Sequence, residues 1–205
     1  MSKYRSLFVR HAGSRIGAAS RAGVLCALAA GAAVAMVAWA SVPAVVYPAL
    51  NPFSEPKRVL GKILFWDEQL SSQNVVSCGT CHSPSHAGAD PRLSRNPGAD
   101  TLANTGDDVL GSEGVIKADV NMNYVRDPVF ALNPQITGRA ANSMINAALV
   151  PELFWDGRAT GQFRDPATNA VIIPSGAALE SQSVAPPVSD VEMGHAGIDW
   201  SVLTT

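Results

Sequence analysis

The run Cys78-Gly79-Thr80-Cys81-His82 constrains this chain more than any other feature. Each member of a Cys-x-x-Cys-His run has its own task in covalent haem attachment. The two thiols add across the vinyl groups of the porphyrin, and the adjacent imidazole is brought under the iron as an axial ligand. A Cys-x-x-Cys pair without the His would point to a redox dithiol or half of a zinc site. Zinc would need two further ligands, yet the chain has no second Cys pair and only His86 close by. The motif therefore assigns one covalent haem c to Cys78, Cys81 and His82, with His82 as the metal ligand.

The rest of the chain decides where such a motif works. Residues 1–54 carry Lys3, Arg5, Arg10, Arg15 and Arg21 and no acid, whereas residues 55–205 carry ten Lys/Arg against seventeen Asp/Glu. The overall charge of −2 hides a basic tip and an acidic body. The body lacks the clustered cations of a phosphate-binding surface, which excludes nucleic acid as a partner. The tip runs into the uncharged, Ala-rich stretch Ala22–Ala40, followed by small residues around Trp39. A basic start, an apolar stretch and a small-residue cleavage site make an export signal. The stretch also reaches the length of about 20 residues that spans a bilayer, so an uncleaved anchor is the alternative. Either way the body crosses the membrane and the haem domain is expected in the periplasm, with membrane contact only through this segment. Cys26, inside the stretch, reads as an apolar filler.

These patterns predict three regions: 1–45 as signal peptide or membrane anchor, 46–55 as a Pro-rich linker, and 56–205 as the haem domain. A helix is expected over about 55–68, capped by Ser54, started by Pro56 and apolar at Val59, Leu60, Ile63 and Leu64. A second is expected from Asn142 or Ser143 to Leu149, and a short one around Gly176–Ser183. Residues 83–135 are rich in Gly, Asp, Asn and Pro without sustained periodicity and read as a long, ligand-wrapping loop. The expected fold class is mostly α: a c-type cytochrome-like haem domain with long irregular loops behind an N-terminal apolar helix. A haem would supply the apolar body that 83–135 is too polar to provide.

Four blocks surround the motif. They are Leu60-Gly61-Lys62-Ile63-Leu64-Phe65-Trp66-Asp67 with the haem motif; Gly138-Arg139-Ala140-Ala141-Asn142-Ser143-Met144-Ile145-Asn146; Leu153-Phe154-Trp155-Asp156-Gly157-Arg158; and Leu179-Glu180-Ser181-Gln182 followed by Val191-Glu192-Met193-Gly194. In this order they resemble the N-terminal, peroxidatic haem domain of the bacterial dihaem cytochrome c peroxidases. The resemblance covers about 58–195, with 90–135 as an insertion. It implies a periplasmic enzyme that reduces hydrogen peroxide to water. Gln182 and Glu192 reproduce the spacing of the family's distal Gln and Glu, and Trp155 falls where the family has its inter-haem Trp. A carboxylate such as Glu192 can move a proton between the two peroxide oxygens, and an amide such as Gln182 can hold peroxide without titrating. Trp155 is equally readable as a core aromatic. Arg158 is a candidate partner for a haem propionate or for Asp156.

The chain departs from the family pattern in two places. Many members hold a distal His upstream of the second block; that position falls near Leu132, and no His occurs there, which implies an open iron face. His195, three residues after Glu192, is the remaining candidate for the distal side. No second Cys-x-x-Cys-His run follows, so electrons are expected from a small donor protein or a second haem-bearing chain. A monohaem electron carrier without peroxidase activity is the alternative function. The resemblance also implies a Ca²⁺ ion between two domains, for which Asn142 is the candidate ligand. The half-apolar stretch Gly197–Thr205 would expose Trp200 and Leu203 unless something covers them.

Overall fold

A computed structural model of the chain describes residues 42–203. The signal or anchor segment and Cys26 lie outside the described residues. Two units divide between Ala44 and Val45, and all the elements below belong to the second.

Helix α1, Glu55–Trp66, begins as its sequence requires: Ser54 caps it by accepting the Lys57 N–H, and Pro56 occupies the first turn. It ends at Asp67, whose carboxylate accepts the Gln69 N–H and starts a 3-10 turn over Glu68–Leu70. The apolar row Val59, Leu60, Ile63 and Leu64 stays exposed along α1. Trp66, at its end, packs on Gly79 in α2, Cys78–Cys81. A Cβ on Gly79 would lie 2.4 Å from the indole ring, so the second position of the haem motif must be glycine for α1 to approach. The Ser77 hydroxyl and the Thr80 side chain close a reciprocal capping box around this short turn.

The segment expected to be one long loop instead holds a sheet. Strands β1, Leu93–Asn96, β2, Val109–Ile116, and β3, Pro134–Ile136, form an antiparallel sheet in the order β1-β2-β3. Leu93 pairs with Ser112 and Asn96 with Val109; Glu113 pairs with Ile136 before an irregularity shifts the register toward Ile116 and Pro134. A second hairpin joins β4, Phe163–Arg164, to β5, Val171–Ile173. Its turn is built by the Asp165 carboxylate, which accepts the N–H groups of Ala167 and Thr168. Helix α3, Ala178–Ser183, and the short α4, Trp200–Leu203, complete the elements.

The expected fold class is thus corrected. The described residues are not mostly α: beyond the three turns of α1 the helices are single or double turns, and two sheets are present. No helix among the described residues is long and apolar enough to cross a membrane. The helix expected to end at Leu149 is reduced to a 3-10 turn over Ala147–Leu149. Asn146 is left-handed there, at φ 64°, and the Met144 N–H goes to the Gly88 carbonyl instead of a helical partner. The C-terminal Trp200 is partly covered: it is half-buried, and its indole N–H donates to the Val184 carbonyl at 2.9 Å.

Buried apolar side chains form two separate clusters. One joins Val76, Val115 and Met193, with Leu70 and Cys81 against it. The other joins Ala147, Leu153, Ala159 and Ala178, with Phe154 against it. Both clusters contribute walls to one cavity.

Candidate haem site

The cavity has a volume of about 1200 Å³, above the 300–1,000 Å³ usual for small-ligand sites. Cys78, Cys81 and His82 line it, together with Phe65, Val76, Met144, Leu153 and Met193. The two thiols are free rather than disulfide-bonded. Burial raises the pKa of both, and Asp90 adds to the effect at Cys81, pushing it up to about 12. Both thiols thus face the same cavity with no disulfide between them.

His82 is oriented by its own turn. Its Nδ1 lies 3.2 Å from the Gly88 carbonyl, which can only accept, so the proton sits on Nδ1 and the Nε2 lone pair is left for a metal. Gly88 takes a left-handed conformation, at φ 76°, which folds its carbonyl back toward the ring. A carbonyl-oriented imidazole beside two free thiols in a large apolar cavity fits haem c. His86 points elsewhere: it is exposed and bonded to the Ser85 hydroxyl.

The cavity also receives Glu192 and Gln182. Gln182 comes from α3. Glu192 sits in a tight turn where the Ser189 hydroxyl accepts the Glu192 N–H and the Ser189 carbonyl accepts those of Met193 and Gly194. This turn is pinned from several directions. Val115 N–H donates to the Val191 carbonyl at 3.0 Å, Ser72 N–H to the Met193 carbonyl at 2.8 Å, and the Gln135 amide to the Asp190 carbonyl at 2.8 Å. Gly114 permits the approach, because a Cβ there would stand 1.9 Å from the Val191 oxygen. Burial raises the pKa of Glu192, against the opposing charges of Arg158 and His82. Its carboxyl therefore shares an electrostatic neighbourhood with the imidazole that would hold the iron.

Trp155 and Arg158 are at the cavity as well, but at its rim. Trp155 is 82% exposed, which removes the reading of a core aromatic. The Arg139 guanidinium lies over its ring, 4.8 Å from the centroid, and also pairs with Asp156 at 2.6 Å. Arg158 pairs with the other oxygen of Asp156 at 3.1 Å and covers the Phe154 ring. Asp156 is one of the two partners that the sequence suggested for it. The paired arginines hold the Asp156 carboxyl below the usual carboxylate range.

His195 is not among the cavity-lining residues; its Nδ1 lies 2.6 Å from the Ser72 hydroxyl. Leu132 is exposed and does not line the cavity either. Asn142 is on the cavity wall, and among the described residues no group of three or more His, Cys, Asp or Glu side chains could hold a metal ion. Sequence reading missed Glu113 and Arg139, which line the cavity, and the pair Asp90 and Arg92 beside Cys81. The short sequence distance from Cys81 to Asp90 and Arg92 was the signal for that pair, but only the fold turns them back onto the thiol.

Known proteins are similar to parts of this chain. Residues 55–203 match the family model described as di-haem cytochrome c peroxidase. Over 120 residues the chain is 32% identical to the methylamine utilization protein MauG of Methylophilus methylotrophus, covering 58% of this chain and 25% of that protein. Over 137 residues it is 29% identical to the cytochrome c551 peroxidase of Pseudomonas aeruginosa, covering 65% of this chain and 30% of that protein. A solved structure of a MauG-like protein associated with microbial copper homeostasis aligns over 77% of this chain and 33% of its own, with 23% identity and a TM-score of 0.38. The chain thus spans a quarter to a third of the length of these relatives. With the family match covering most of its length, the chain belongs to the di-haem cytochrome c peroxidases, a family of haem c oxidoreductases.

Proposed function

We propose that this chain is a periplasmic c-type haem peroxidase domain that reduces hydrogen peroxide to water with electrons from an external donor. The observation that carries the reading is one cavity lined by Cys78, Cys81, His82, Gln182 and Glu192. Cys78 and Cys81 would hold a single haem c as thioethers, and His82 would supply a nitrogen to its iron. Haem c, when bound, supplies the redox-active iron at which the O–O bond of peroxide is broken.

The chain's own residues manage position and protons. Glu192 in its ionised form takes the proton from the inner peroxide oxygen and returns it to the outer one, which leaves as water. The Gln182 amide, with both donors and an acceptor, orients the peroxide without changing charge. Two electrons and two further protons complete the conversion of one peroxide to two waters. Trp155, on the cavity rim and largely in solvent, is the entry point for those electrons, delivered by a small donor protein or a second haem-bearing chain. Arg158, tied to Asp156, keeps a positive charge near Glu192 and favours its ionised form. The Ca²⁺ implied by the family has one candidate ligand here, Asn142.

The ferric spectrum of the haem-loaded protein tests the reading. A high-spin, five-coordinate spectrum that changes on adding peroxide is the expected result. A low-spin, six-coordinate spectrum indifferent to peroxide would sink it and make the chain an electron carrier. Glu192→Gln should slow the peroxide reaction about 10²- to 10⁴-fold with covalent haem content unchanged; reaction at the parent rate removes Glu192 from the mechanism.

A further inference from the structure

The Cys81 sulfur has a neighbour that no attachment motif contains. Arg92 Nη2 lies 3.5 Å from Cys81 Sγ and donates to the Glu113 carbonyl at 3.2 Å. The guanidinium is anchored from behind by Asp90, whose Oδ1 accepts the Arg92 backbone N–H at 2.8 Å and Nε at 3.3 Å, and whose Oδ2 lies 3.4 Å from Nη2. The Asp90 side chain has no exposed surface, while that of Arg92 keeps 38%. A carboxylate buried so completely is tolerated only beside a fixed partner. Asp90 therefore locks the guanidinium in place, and the geometry aims one of its N–H groups at the sulfur. Among the described residues, no side chain stands against the Cys78 sulfur in the same way. The Glu113 carboxylate, on β2, accepts from the Ser94 hydroxyl instead.

We propose that Asp90 and Arg92 act as an opposed pair that sets the reduction potential of the haem attached at Cys81, Arg92 raising it and Asp90 lowering it. This rests on the reading that Cys78, Cys81 and His82 carry haem c. The physical reason is direct. Reduction of the iron removes one positive charge, so a cation held against the thioether favours the reduced form and an anion favours the oxidised form. An N–H donated to the sulfur draws electron density in the same sense as the cation. The two are positioning residues that act through the Cys81 sulfur.

The test uses the haem-loaded protein and a spectroelectrochemical titration, with covalent haem measured by peroxidase stain on a denaturing gel. Arg92→Gln should lower the potential by the equivalent of a three- to tenfold change in the electron-transfer equilibrium, where tenfold is about 59 mV for one electron. Asp90→Asn should raise it by a similar factor, and Arg92→Lys should stay near the parent. Arg95→Gln, which breaks the Arg95–Asp108 pair away from the cavity, should leave it unmoved. A general loosening of the site would shift the Arg92→Gln and Asp90→Asn proteins in the same direction, and that result overturns the proposal, as does an unmoved potential in both. If Asp90→Asn does not fold, the lysine variant decides: a fall as large as that of Arg92→Gln shows that charge is not the cause. Absence of covalent haem in the parent protein would instead defeat the haem reading itself.

Discussion

The Cys78–His82 turn, proposed to attach the haem, and the Glu192 turn meet at one cavity, yet they are fixed by different kinds of contact. Around Cys78–His82 most fixing groups come from neighbouring chain: Trp66 against Gly79, Thr80 across to Ser77, Gly88 behind His82, and Asp90 with Arg92 beside Cys81, to which β2 adds the Glu113 carbonyl. The Glu192 turn borrows its restraints from remote segments, namely Ser72, Val115 and Gln135. A site built from local contacts forms when its own stretch folds. A site stitched from afar forms only when the sheet, the haem turn and the C-terminal segment have all assembled.

The largest effect that separates the two is loss of attachment. Replacing both Cys78 and Cys81 by Ala should abolish covalent haem, whereas Glu192→Gln should leave it at the parent level, both read by haem stain on a denaturing gel. Equal losses in the two would mean that the turns are not independent.

Gly114→Ala should come next. The new Cβ meets the Val191 oxygen, an overpacking that costs about 1–3 kcal/mol. Denaturant unfolding should show this loss, and the peroxide reaction should slow because the Glu192 turn is displaced. Covalent haem should persist, since the new Cβ meets the Val191–Glu192 backbone and not the Cys78–His82 turn. A drop in haem content as large as the drop in rate would break the distinction.

Acidity gives a smaller, graded effect. Burial raises the pKa of Glu192, and the proton-accepting form is the ionised one. The peroxide reaction should therefore fall as pH drops through a pKa above the ordinary carboxylate range, and Glu192→Gln should flatten that limb. The sign for stability is the reverse. A carboxyl whose folded pKa is raised is penalised when ionised, so its contribution is most favourable at low pH and is lost as pH rises through the folded pKa. Glu192→Gln should accordingly raise the melting temperature at neutral pH and do less at pH 4. An acid limb unchanged in the variant assigns the titration to another group.

The smallest effect on folding belongs to the rim. Trp155→Phe should alter stability by less than about 0.5 kcal/mol, because the side chain is 82% exposed. Turnover with a reduced donor protein should still slow, while the direct reaction with peroxide keeps its rate. A variant that turns over at the parent rate takes Trp155 out of the electron path.

The same difference explains what could be read before the fold was known. Ser54, Pro56 and the apolar row of α1 act within a few residues of one another, and that helix forms where they place it. The haem motif is legible for the same reason, since its thiols and imidazole are spaced for a single ligand. The sheet was not legible. β2 runs Val109-Leu110-Gly111-Ser112-Glu113-Gly114-Val115-Ile116, with two glycines and no alternation, and its value lies in letting Thr137 and Val191 approach closely. The helix expected after Asn142 fails because Ser143 and Met144 bond to Ala87 and Gly88, ties that local propensity cannot foresee. Glu192 and Gln182 were found by their family spacing; the network that holds Glu192 left no trace in the pattern.

The two apolar clusters touch the cavity from separate parts of the chain, and this has a consequence for the protein's life before it works. Each cluster is small, and the group that would join them arrives only by covalent attachment. Ligation to the folded state adds stability that the unligated chain lacks. On the reading proposed above, maturation would double as proofreading: a polypeptide without its haem should be cut by proteases sooner than one that carries it.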